Sequence, residues 1–291
     1  MGPLDLVKLT GLMSRTGGSP QVAVGLVDGP VAMDHPDLVG QRLREIPGNT
    51  AGACHQTNST ACLHGTFVAG ILSAKRSSGA PAICPNCTLL VRPIFIEATS
   101  TQKQMPSATP EQLAAAIREC IQAGARVINL SLAIAQPSSR GEHLLQEGLD
   151  QAARRGVIVV AAAGNQGTLG STAITRHPWV IPVVACNMRG TPLNESNLGS
   201  SIGKRGLSAP GAGITSLGTE GQTLTLGGTS VAVPFVTGAI ALLLSSFPAT
   251  AAAQVRLAIA PSPTPRRATV VPPLLDAEAA YRVLQASQVT R

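Results

Sequence analysis

The sequence predicts a three-layer α/β fold in which helices flank a mostly parallel central sheet. Short aliphatic runs alternate along the 291-residue chain with segments of helical periodicity, an order typical of βαβ units. The run at residues 157–163 is almost entirely apolar, as expected of a strand that is buried on both faces. Hydrophobic residues form 44% of the chain and aromatic residues only 2%, a composition that suits helices packed closely on parallel strands.

Strands and helices alternate in the first half of the chain. The first strand ends at Asp28. The second helix has the clearest boundaries, because Thr109, Pro110 and Gln112 supply an N-cap, a proline at the first helical position and a capping-box partner, and Gly124 supplies a stop. The predicted segments before this helix are a strand, a helix and a strand at residues 21–27, 65–74 and 88–96.

The second half continues the same alternation. Its predicted strands span residues 126–132, 157–163 and 180–186, and its predicted helices span residues 140–155, 231–244 and 276–286. The connecting segments are short and no shift in composition marks a boundary. We therefore expect a single domain over residues 1–291, with its core at about residues 20–286.

Charge and hydropathy argue against two classes of partner. The net charge is +7, but the basic residues are scattered and lack interleaved aromatic residues, which argues against nucleic acid. The longest apolar stretch, residues 231–244, is interrupted by Pro234 and Gly238 and is shorter than the roughly 20 residues that span a membrane. The N-terminus lacks the pattern of a secretory signal. We expect no membrane association and a cytoplasmic location.

The cysteines leave two alternatives open. Cys84 and Cys87 have the spacing of metal ligands, but no second such pair exists, so no metal and no other cofactor is predicted. Cys54 and Cys62 could form a local disulfide, and free thiols are about equally expected because a cytoplasmic chain is normally reduced.

Three segments supply the groups of a serine-hydrolase triad. Asp28 follows a buried strand, His64 is expected just before the helix at residues 65–74, and Ser230 is expected to begin the helix at residues 231–244. A serine hydroxyl needs a base within hydrogen-bond reach, and that base needs a third group that fixes its tautomer. Each residue alone is more often structural, but the chain order Asp, His, Ser is a known order of this triad. We predict Asp28 as the orienting carboxylate, His64 as the general base and Ser230 as the nucleophile.

A fourth group completes the predicted set. Asn165 follows the apolar strand at residues 157–163 and so lies at the carboxyl edge of the sheet, where sites form in open α/β folds. Its side-chain amide, together with the backbone N–H of Ser230, can donate to an oxyanion. Gly164 and Thr229, which precede these two residues, belong to the predicted substrate-binding set.

These motifs resemble those of the subtilisin-type serine peptidases, or subtilases, over nearly the whole chain. The resemblance implies a subtilisin-like fold and a serine endopeptidase that acts through an acyl-enzyme. It also implies the family's catalytic roles for Asp28, His64 and Ser230 and its oxyanion role for Asn165. The matching segments are Val27-Asp28-Gly29, His35-Pro36-Asp37-Leu38, His64-Gly65-Thr66-Phe67-Val68-Ala69-Gly70, Val127-Ile128-Asn129-Leu130-Ser131-Leu132, Ala162-Ala163-Gly164-Asn165 and Gly228-Thr229-Ser230-Val231-Ala232-Val233-Pro234.

The resemblance also implies where a peptide substrate binds. In the family, an extended peptide adds as a strand beside a Ser-Leu-Gly segment. Here that segment is Ser131, Leu132 and Ala133. Because Ala133 and Ile134 replace the family's usual glycines, we expect a narrow pocket and a preference for a small side chain before the scissile bond.

Two departures distinguish the chain from secreted relatives. The segment at residues 75–79 is short and basic and lacks the family's oxygen-rich calcium loop. Asp37 matches only one ligand of that site, so we expect no structural calcium there. No inhibitory pro-segment precedes Asp28, so we expect a chain that acts without one or has lost it.

In its missing pro-segment, its segment at residues 81–87 and its Asp28-Gly29-Pro30-Val31 turn, the chain resembles the subtilases that mature cyanobactin-like ribosomal peptides. Some of those enzymes cleave a leader from a precursor peptide. Others cleave a follower and join the ends into a ring, and these carry a helical insertion near the site. Asp28 and His64 are 36 positions apart (64 minus 28), which leaves little room for such an insertion. We therefore expect hydrolysis of a peptide or precursor peptide. The alternatives are a general intracellular subtilase, a macrocyclase and an inactive peptide-binding module.

Overall fold

The protein is built around one seven-stranded sheet in a computed structural model, which describes residues 2–48, 53–95, 97, 108–132, 141–260 and 269–289. The strands are β1 (Ala23–Asp28), β2 (Leu43–Glu45), β3 (Thr88–Pro93), β4 (Ala125–Leu130), β5 (Ile158–Ala162), β6 (Val180–Cys186) and β7 (Leu207–Pro210). Their order across the sheet is β2-β3-β1-β4-β5-β6-β7, and every neighbouring pair is parallel. The predicted fold class is confirmed. A separate antiparallel hairpin is formed by β8 (Ile214–Leu217) and β9 (Thr223–Leu226).

Helices cover both faces of this sheet. They are α1 (Pro3–Leu6), α2 (Leu9–Arg15), α3 (Thr60–Ser73), α4 (Pro110–Gln122), α5 (Glu142–Arg155), α6 (Ala173–Arg176), α7 (Ser200–Arg205), α8 (Thr229–Ser246), α9 (Ala252–Ile259) and α10 (Ala277–Val289). Successive residues of a strand face opposite sides of a sheet. Val24 and Leu26 of β1 accordingly belong to the buried cluster that includes residues of α3 and α8, whereas Val27 belongs to the cluster that includes residues of α4 and α5.

Helix α8 forms the centre of one face. It is long and apolar enough to cross a membrane by length and composition, but 83% of it is buried inside the fold. It packs against β4, β5, β6 and β7 and against α3. This position in the core accounts for its apolar composition, because a helix surrounded by other elements is hydrophobic on all sides.

Helix α3 begins earlier than the sequence predicts. The prediction starts the helix at residue 65, but the structure starts it at Thr60, where the Ser59 hydroxyl caps the helix by accepting from the backbone N–H of Cys62 (3.2 Å). His64 therefore lies within the helix, and the expectation that it precedes the helix is wrong. The capping serine is the physical reason, since it satisfies a free N–H group one turn earlier.

The other predicted elements agree closely with the structure. Helix α4 has the predicted capping box, in which the hydroxyl of Thr109 accepts from the N–H of Gln112 (3.2 Å) and the Gln112 side chain accepts from the N–H of Thr109 (2.9 Å). Helix α5 ends at Gly156, which adopts a left-handed conformation. The elements without a predicted counterpart are the short ones: β2, β7, β8, β9, α1, α2, α6, α7 and α9.

The N-terminal helices are joined to the last helix. The guanidinium of Arg15 donates to both carboxylate oxygens of Glu278 (2.6 and 3.0 Å) and lies 4.5 Å from the centroid of the Tyr281 ring. The ammonium of Lys8 contacts the Asp276 carboxylate at 2.5 Å. The apolar side of α2 enters the same buried cluster as α8, so both ends of the described chain support one core.

Two basic residues of the segment after α3 donate to backbone carbonyl groups. The Lys75 ammonium donates to the carbonyl of Pro36 (2.7 Å), and its backbone N–H donates to the carbonyl of Asp37 (3.0 Å). The guanidinium of Arg76 donates to the carbonyl of Thr16 (3.0 Å). Carbonyl oxygens are common ligands of Ca²⁺. Here the side-chain cations of Lys75 and Arg76 donate to the carbonyl oxygens of Pro36 and Thr16.

Under non-reducing conditions we expect thermal stability to be insensitive to EDTA for this reason. Lys75→Met should lower the free energy of unfolding by about 1 kcal/mol, because the Pro36 carbonyl loses its charged donor. That loss corresponds to about 2 °C in Tm for a chain of this size. Thermal unfolding followed by circular dichroism checks both results, with Lys204→Met, at an exposed lysine of α7, as the control. A fall in the wild-type Tm on adding EDTA under these conditions would contradict the prediction.

Candidate active site

The predicted site residues meet at the carboxyl edge of the sheet. Asp28 is the last residue of β1, Ser131 follows β4, and Gly164 and Asn165 follow β5. Strand β1 is paired with β3 on one side and β4 on the other, so the chain order reverses there. Clefts outside the carboxyl ends of parallel strands at such a reversal are the usual binding sites of open α/β sheets.

Two glycines allow α3 to lie against the end of β1. A Cβ atom on Gly29 would lie 2.0 Å from the carbonyl oxygen of Ala61, and one on Gly65 would lie 2.4 Å from that of Pro30. No other residue type fits at either position without moving the backbone. This close packing brings His64, in the second turn of α3, within reach of Asp28.

Asp28, His64 and Ser230 form a hydrogen-bonded chain. His64 Nδ1 lies 2.7 Å from Asp28 Oδ1, and His64 Nε2 lies 3.0 Å from Ser230 Oγ. The Asp28 carboxylate is fully buried and also accepts from the backbone N–H of Gly29 (2.7 Å). With Nδ1–H donating to Asp28, Nε2 is left to accept the Ser230 proton.

The position of Ser230 favours negative charge on its oxygen. It lies in the first turn of α8, whose N-cap is Gly228 with φ +117°. The positive end of the helix dipole stabilises an anion at this point. Ser230 is also partly exposed, unlike its neighbours in the helix, so a substrate can reach it.

The buried carboxylate changes the acidity of the imidazole. Burial disfavours the protonated ring of His64, but the charge of Asp28 and its hydrogen bond outweigh burial, so the pKa of His64 is raised above its ordinary value of 6.5. A base with a pKa near the working pH is well matched to proton transfer.

We expect kcat/KM for a peptide substrate to fall on the acidic side with an apparent pKa above 6.5. Only the neutral ring of His64 can take the Ser230 proton, so activity is present above this pKa and is lost as the pH falls through it. Asp28→Asn should move the acid limb of the residual activity to lower pH, because the stabilising charge is gone. Rates measured from about pH 5 to pH 9 check this. The exposed His143 supplies the control His143→Gln, and a wild-type limb at or below 6.5 would refute the assignment.

Asn165 is hydrogen-bonded to Thr229, the residue before Ser230. Its Oδ1 accepts from the backbone N–H of Thr229 (2.9 Å) and from the Thr229 hydroxyl (3.0 Å). The same hydroxyl accepts from the N–H of Gly164 (3.2 Å). These bonds orient the amide so that Nδ2, its donor, is left for a ligand. The sequence did not predict these hydrogen bonds between Thr229 and Asn165.

Asn197 holds the segment that carries Asn165. Its Oδ1 accepts from the N–H groups of Gln166 (3.0 Å) and Thr168 (3.1 Å), and its Nδ2 donates to the carbonyl of Ala163 (3.2 Å). The Asn197 side chain is almost completely buried. No sequence signal distinguished it, since its partners lie about thirty positions away in the chain.

A buried chain of hydrogen-bonded polar side chains reaches the backbone of Ser230. The Thr237 hydroxyl donates to Asn129 Oδ1 (2.9 Å), Asn129 Nδ2 donates to the Ser131 hydroxyl (2.7 Å), and that hydroxyl donates to the backbone carbonyl of Ser230 (2.9 Å). Ser131 was predicted to bind substrate, and its hydroxyl here holds the backbone of α8. Leu132 is buried beside it.

The narrow-pocket prediction rests on residues outside the described ones. Ala133 and Ile134 both belong to that undescribed stretch. The preference for a small side chain before the scissile bond therefore stays a prediction, as does the substrate-binding role of Leu132.

The cysteines divide into one disulfide and four buried thiols. Cys54 and Cys62 form a disulfide, so of the two open alternatives the bonded one is present. Cys84 and Cys87 are buried and reduced, and no third metal ligand lies beside them in the part of the chain that the structure describes. Burial raises the pKa of the Cys120 thiol to about 12, as expected of an inert core residue.

Comparisons with known proteins agree with this geometry. The model of the subtilase family, Peptidase S8, matches residues 19–270. Subtilisin DY of Bacillus licheniformis is 31% identical over 258 residues, which cover 87% of this chain and 87% of that protein. Subtilisin NAT of Bacillus subtilis subsp. natto is 31% identical over 260 residues, which cover 87% of this chain and 63% of the relative.

Similar solved structures include peptide-maturing enzymes. A mutant of the protease domain of PatA has a TM-score of 0.83 and 30% identity, covering 93% of this chain and 97% of that one. The prenylagaramide maturation protease PagA has a TM-score of 0.81 and 29% identity, and the match covers 95% of this chain and 98% of that one. The PatG macrocyclase in complex with peptide has a TM-score of 0.80 but 21% identity, covering 95% of each chain, a likeness of fold alone.

Proposed function

The chain belongs to the subtilase family and is a serine endopeptidase, and from this premise we propose that it cleaves a ribosomal precursor peptide by hydrolysis. The observation that carries the chemistry is the hydrogen-bonded chain of Asp28, His64 and Ser230, with separations of 2.7 and 3.0 Å. A hydroxyl, an imidazole and a buried carboxylate in this arrangement supply a nucleophile, a base and an orienting group.

Each residue has one role in the proposed reaction. Ser230 Oγ attacks the scissile carbonyl carbon while His64 Nε2 takes its proton. Asp28 keeps the ring in the required tautomer and stabilises the imidazolium. His64 then gives the proton to the leaving amine, and the acyl group stays on Ser230 until water, activated by the same ring, releases it.

Asn165 and the N-terminus of α8 stabilise the charge that develops on the carbonyl oxygen. Asn165 Nδ2 and the backbone N–H of Ser230 donate to this oxyanion. Both donors are fixed before reaction, because Asn165 is bonded to Thr229 and its segment is held by Asn197. Donors that need no reorganisation contribute most to transition-state stabilisation.

A precursor peptide is the proposed substrate class because of the structural neighbours. PatA and PagA are described as maturation proteases, and each resembles this chain over more than nine-tenths of its length. We propose that the substrate adds as an extended strand beside Ser131 and Leu132, with Gly164 and Thr229 at the same groove. Backbone hydrogen bonds to the substrate would give affinity, and side-chain pockets would give selectivity.

Hydrolysis is favoured over ring closure by the chain length between two of the catalytic groups. A ring-closing enzyme must keep water from the acyl-enzyme, and the segment between Asp28 and His64 is short for a covering insertion. The likeness to the PatG macrocyclase is one of fold.

Cytoplasmic action is also part of the proposal. The four buried free thiols are compatible with a reducing compartment, in which the Cys54–Cys62 disulfide would be open.

The mass of the product distinguishes the possible reactions. We expect incubation with a synthetic leader–core–follower peptide to yield two linear fragments whose masses sum to that of the substrate plus one water. Ser230→Ala should yield none. A product lacking the follower with no water added would indicate a macrocyclase and refute hydrolysis. Equally fast cleavage of an unfolded general protein substrate would refute the precursor-peptide role and support a general subtilase.

A further inference from the structure

Three metal-ligating side chains lie together beside α3 and have no part in the proposed reaction. They are Cys54, Cys62 and Glu97, and one ligand atom of each lies within 4.8 Å of the other two. In the part of the chain that the structure describes, no other group of three such residues is so close. Cys62 and Cys54 are disulfide-bonded, so the cluster has a covalent state and, on reduction, a state with two thiols.

Hydrogen bonds hold Cys62 and Glu97 in place, and the disulfide holds Cys54 beside Cys62. Cys62 is buried in the first turn of α3, where its N–H bonds to the Ser59 hydroxyl (3.2 Å). The Glu97 carboxylate accepts from the N–H groups of His55 (2.9 and 3.1 Å) and Gln56 (3.0 Å). These bonds aim the carboxylate at the loop that carries Cys54, which is partly exposed.

The donor set matches a particular metal. Two thiolates and one carboxylate are ligands of Zn²⁺, which binds four donors in a tetrahedron and accepts water as the fourth. A thiol at a helix N-terminus loses its proton more readily, because the helix dipole stabilises the thiolate. The Glu97 carboxylate also retains a lone pair for a metal, since a carboxylate accepts up to about four hydrogen bonds and Glu97 accepts three.

We propose that, in the reduced protein, Cys54, Cys62 and Glu97 bind one zinc ion, which replaces the disulfide as the cross-link between the loop at residues 53–59 and α3. A dithiol reductant of the thioredoxin class supplies two electrons and two protons, breaks the S–S bond and leaves as its own disulfide. Zinc then displaces the two thiol protons. The cross-link thus exists in both oxidising and reducing surroundings.

The cross-linked loop is placed to affect the active site. His64 follows Cys62 by two positions on α3. The loop also contacts the turn between β8 and β9, where the Thr219 hydroxyl donates to the carbonyl of Thr57 (2.6 Å) and the Thr57 hydroxyl donates to Glu220 (2.8 Å). A cross-link in either redox state keeps this loop fixed beside the helix that carries the general base.

Cobalt titration of the reduced, metal-free full chain tests the proposal, because Co²⁺ reports thiolate ligands by a charge-transfer absorption in the near ultraviolet. We expect one ion per chain, displaced by one equivalent of Zn²⁺. Cys54→Ser should abolish the charge-transfer band of that ion. Glu97→Gln should weaken zinc binding at least tenfold, since loss of even an outer partner of a metal ligand costs about 10–100-fold. The double variant Cys84→Ser, Cys87→Ser is the matched control and should bind as the wild type does.

Thermal unfolding supplies an independent measurement. Zinc should raise the Tm of the reduced wild-type protein and of the Cys84, Cys87 control, but not that of reduced Cys54→Ser. Glu97→Gln keeps both cysteines, so its oxidised form should still unfold in one cooperative transition, which shows that the variant is folded. The proposal is overturned if the reduced wild-type protein binds no Co²⁺, or if the ion is lost in the Cys84, Cys87 variant and kept in Cys54→Ser.

Discussion

Replacing Ser230 with alanine should lower kcat about a millionfold, the scale of triad deletions in serine peptidases. The hydroxyl supplies the bond to the acyl group, and neither His64 nor Asp28 can take its place. The protein should remain folded, because Ser230 Oγ bonds to His64 alone among the described residues. Its backbone is held separately by Ser131. Peptide hydrolysis and labelling by a fluorophosphonate probe measure the two consequences.

The control for this variant is Ser246→Ala, at the other end of α8. It should retain both wild-type activity and labelling. Labelling of Ser230→Ala at the wild-type rate would show that another residue is the nucleophile. If the folded wild-type protein is not labelled by the probe at all, the serine-peptidase chemistry proposed for this site is refuted.

Replacing Asn165 with alanine should lower kcat by about 10²–10³, or roughly 3 kcal/mol of transition-state stabilisation, while KM changes little. The amide donates to an oxygen that carries charge only after attack, so ground-state binding does not depend on it. Steady-state kinetics with a peptide substrate separates kcat from KM. Asn194→Ala, at an exposed asparagine near the same segment, should behave as the wild type. A rise in KM at constant kcat would assign Asn165 to substrate binding instead.

The regular parts of the fold follow from local patterns. The buried strands β1, β5 and β6 and the capped helix α4 have side-chain sequences that determine them within a few residues. The start of α3 could not be found this way, because Thr60 and Cys62 are weak helix formers and the helix is set by the Ser59 cap. The short strands β2 and β7 have too few residues to show a period.

The site divides in a similar way. Asp28, His64, Asn165 and Ser230 lie in short motifs, so the sequence alone suffices to propose them, and the structure brings them together. Thr229 and Asn197 hold the oxyanion segment through partners some thirty to sixty-five positions distant. The chain from Thr237 through Asn129 reaches Ser230 across the core. The role of such a residue depends on partners that only the tertiary structure brings next to it. A single sequence does not reveal which distant residues those partners are.

The ties between Asn165, Thr229 and Asn197 have a consequence for selectivity. Because the protein's own hydrogen bonds already hold Asn165, one of the two proposed oxyanion donors, a bound peptide does not have to bring this group into position. An enzyme of this kind cannot reject a wrong peptide by failing to complete its catalytic groups. It can reject a wrong peptide only because that peptide binds poorly in the substrate groove. Discrimination between precursors must therefore come from how each peptide binds in the groove, and it is measured as the ratio of their kcat/KM values.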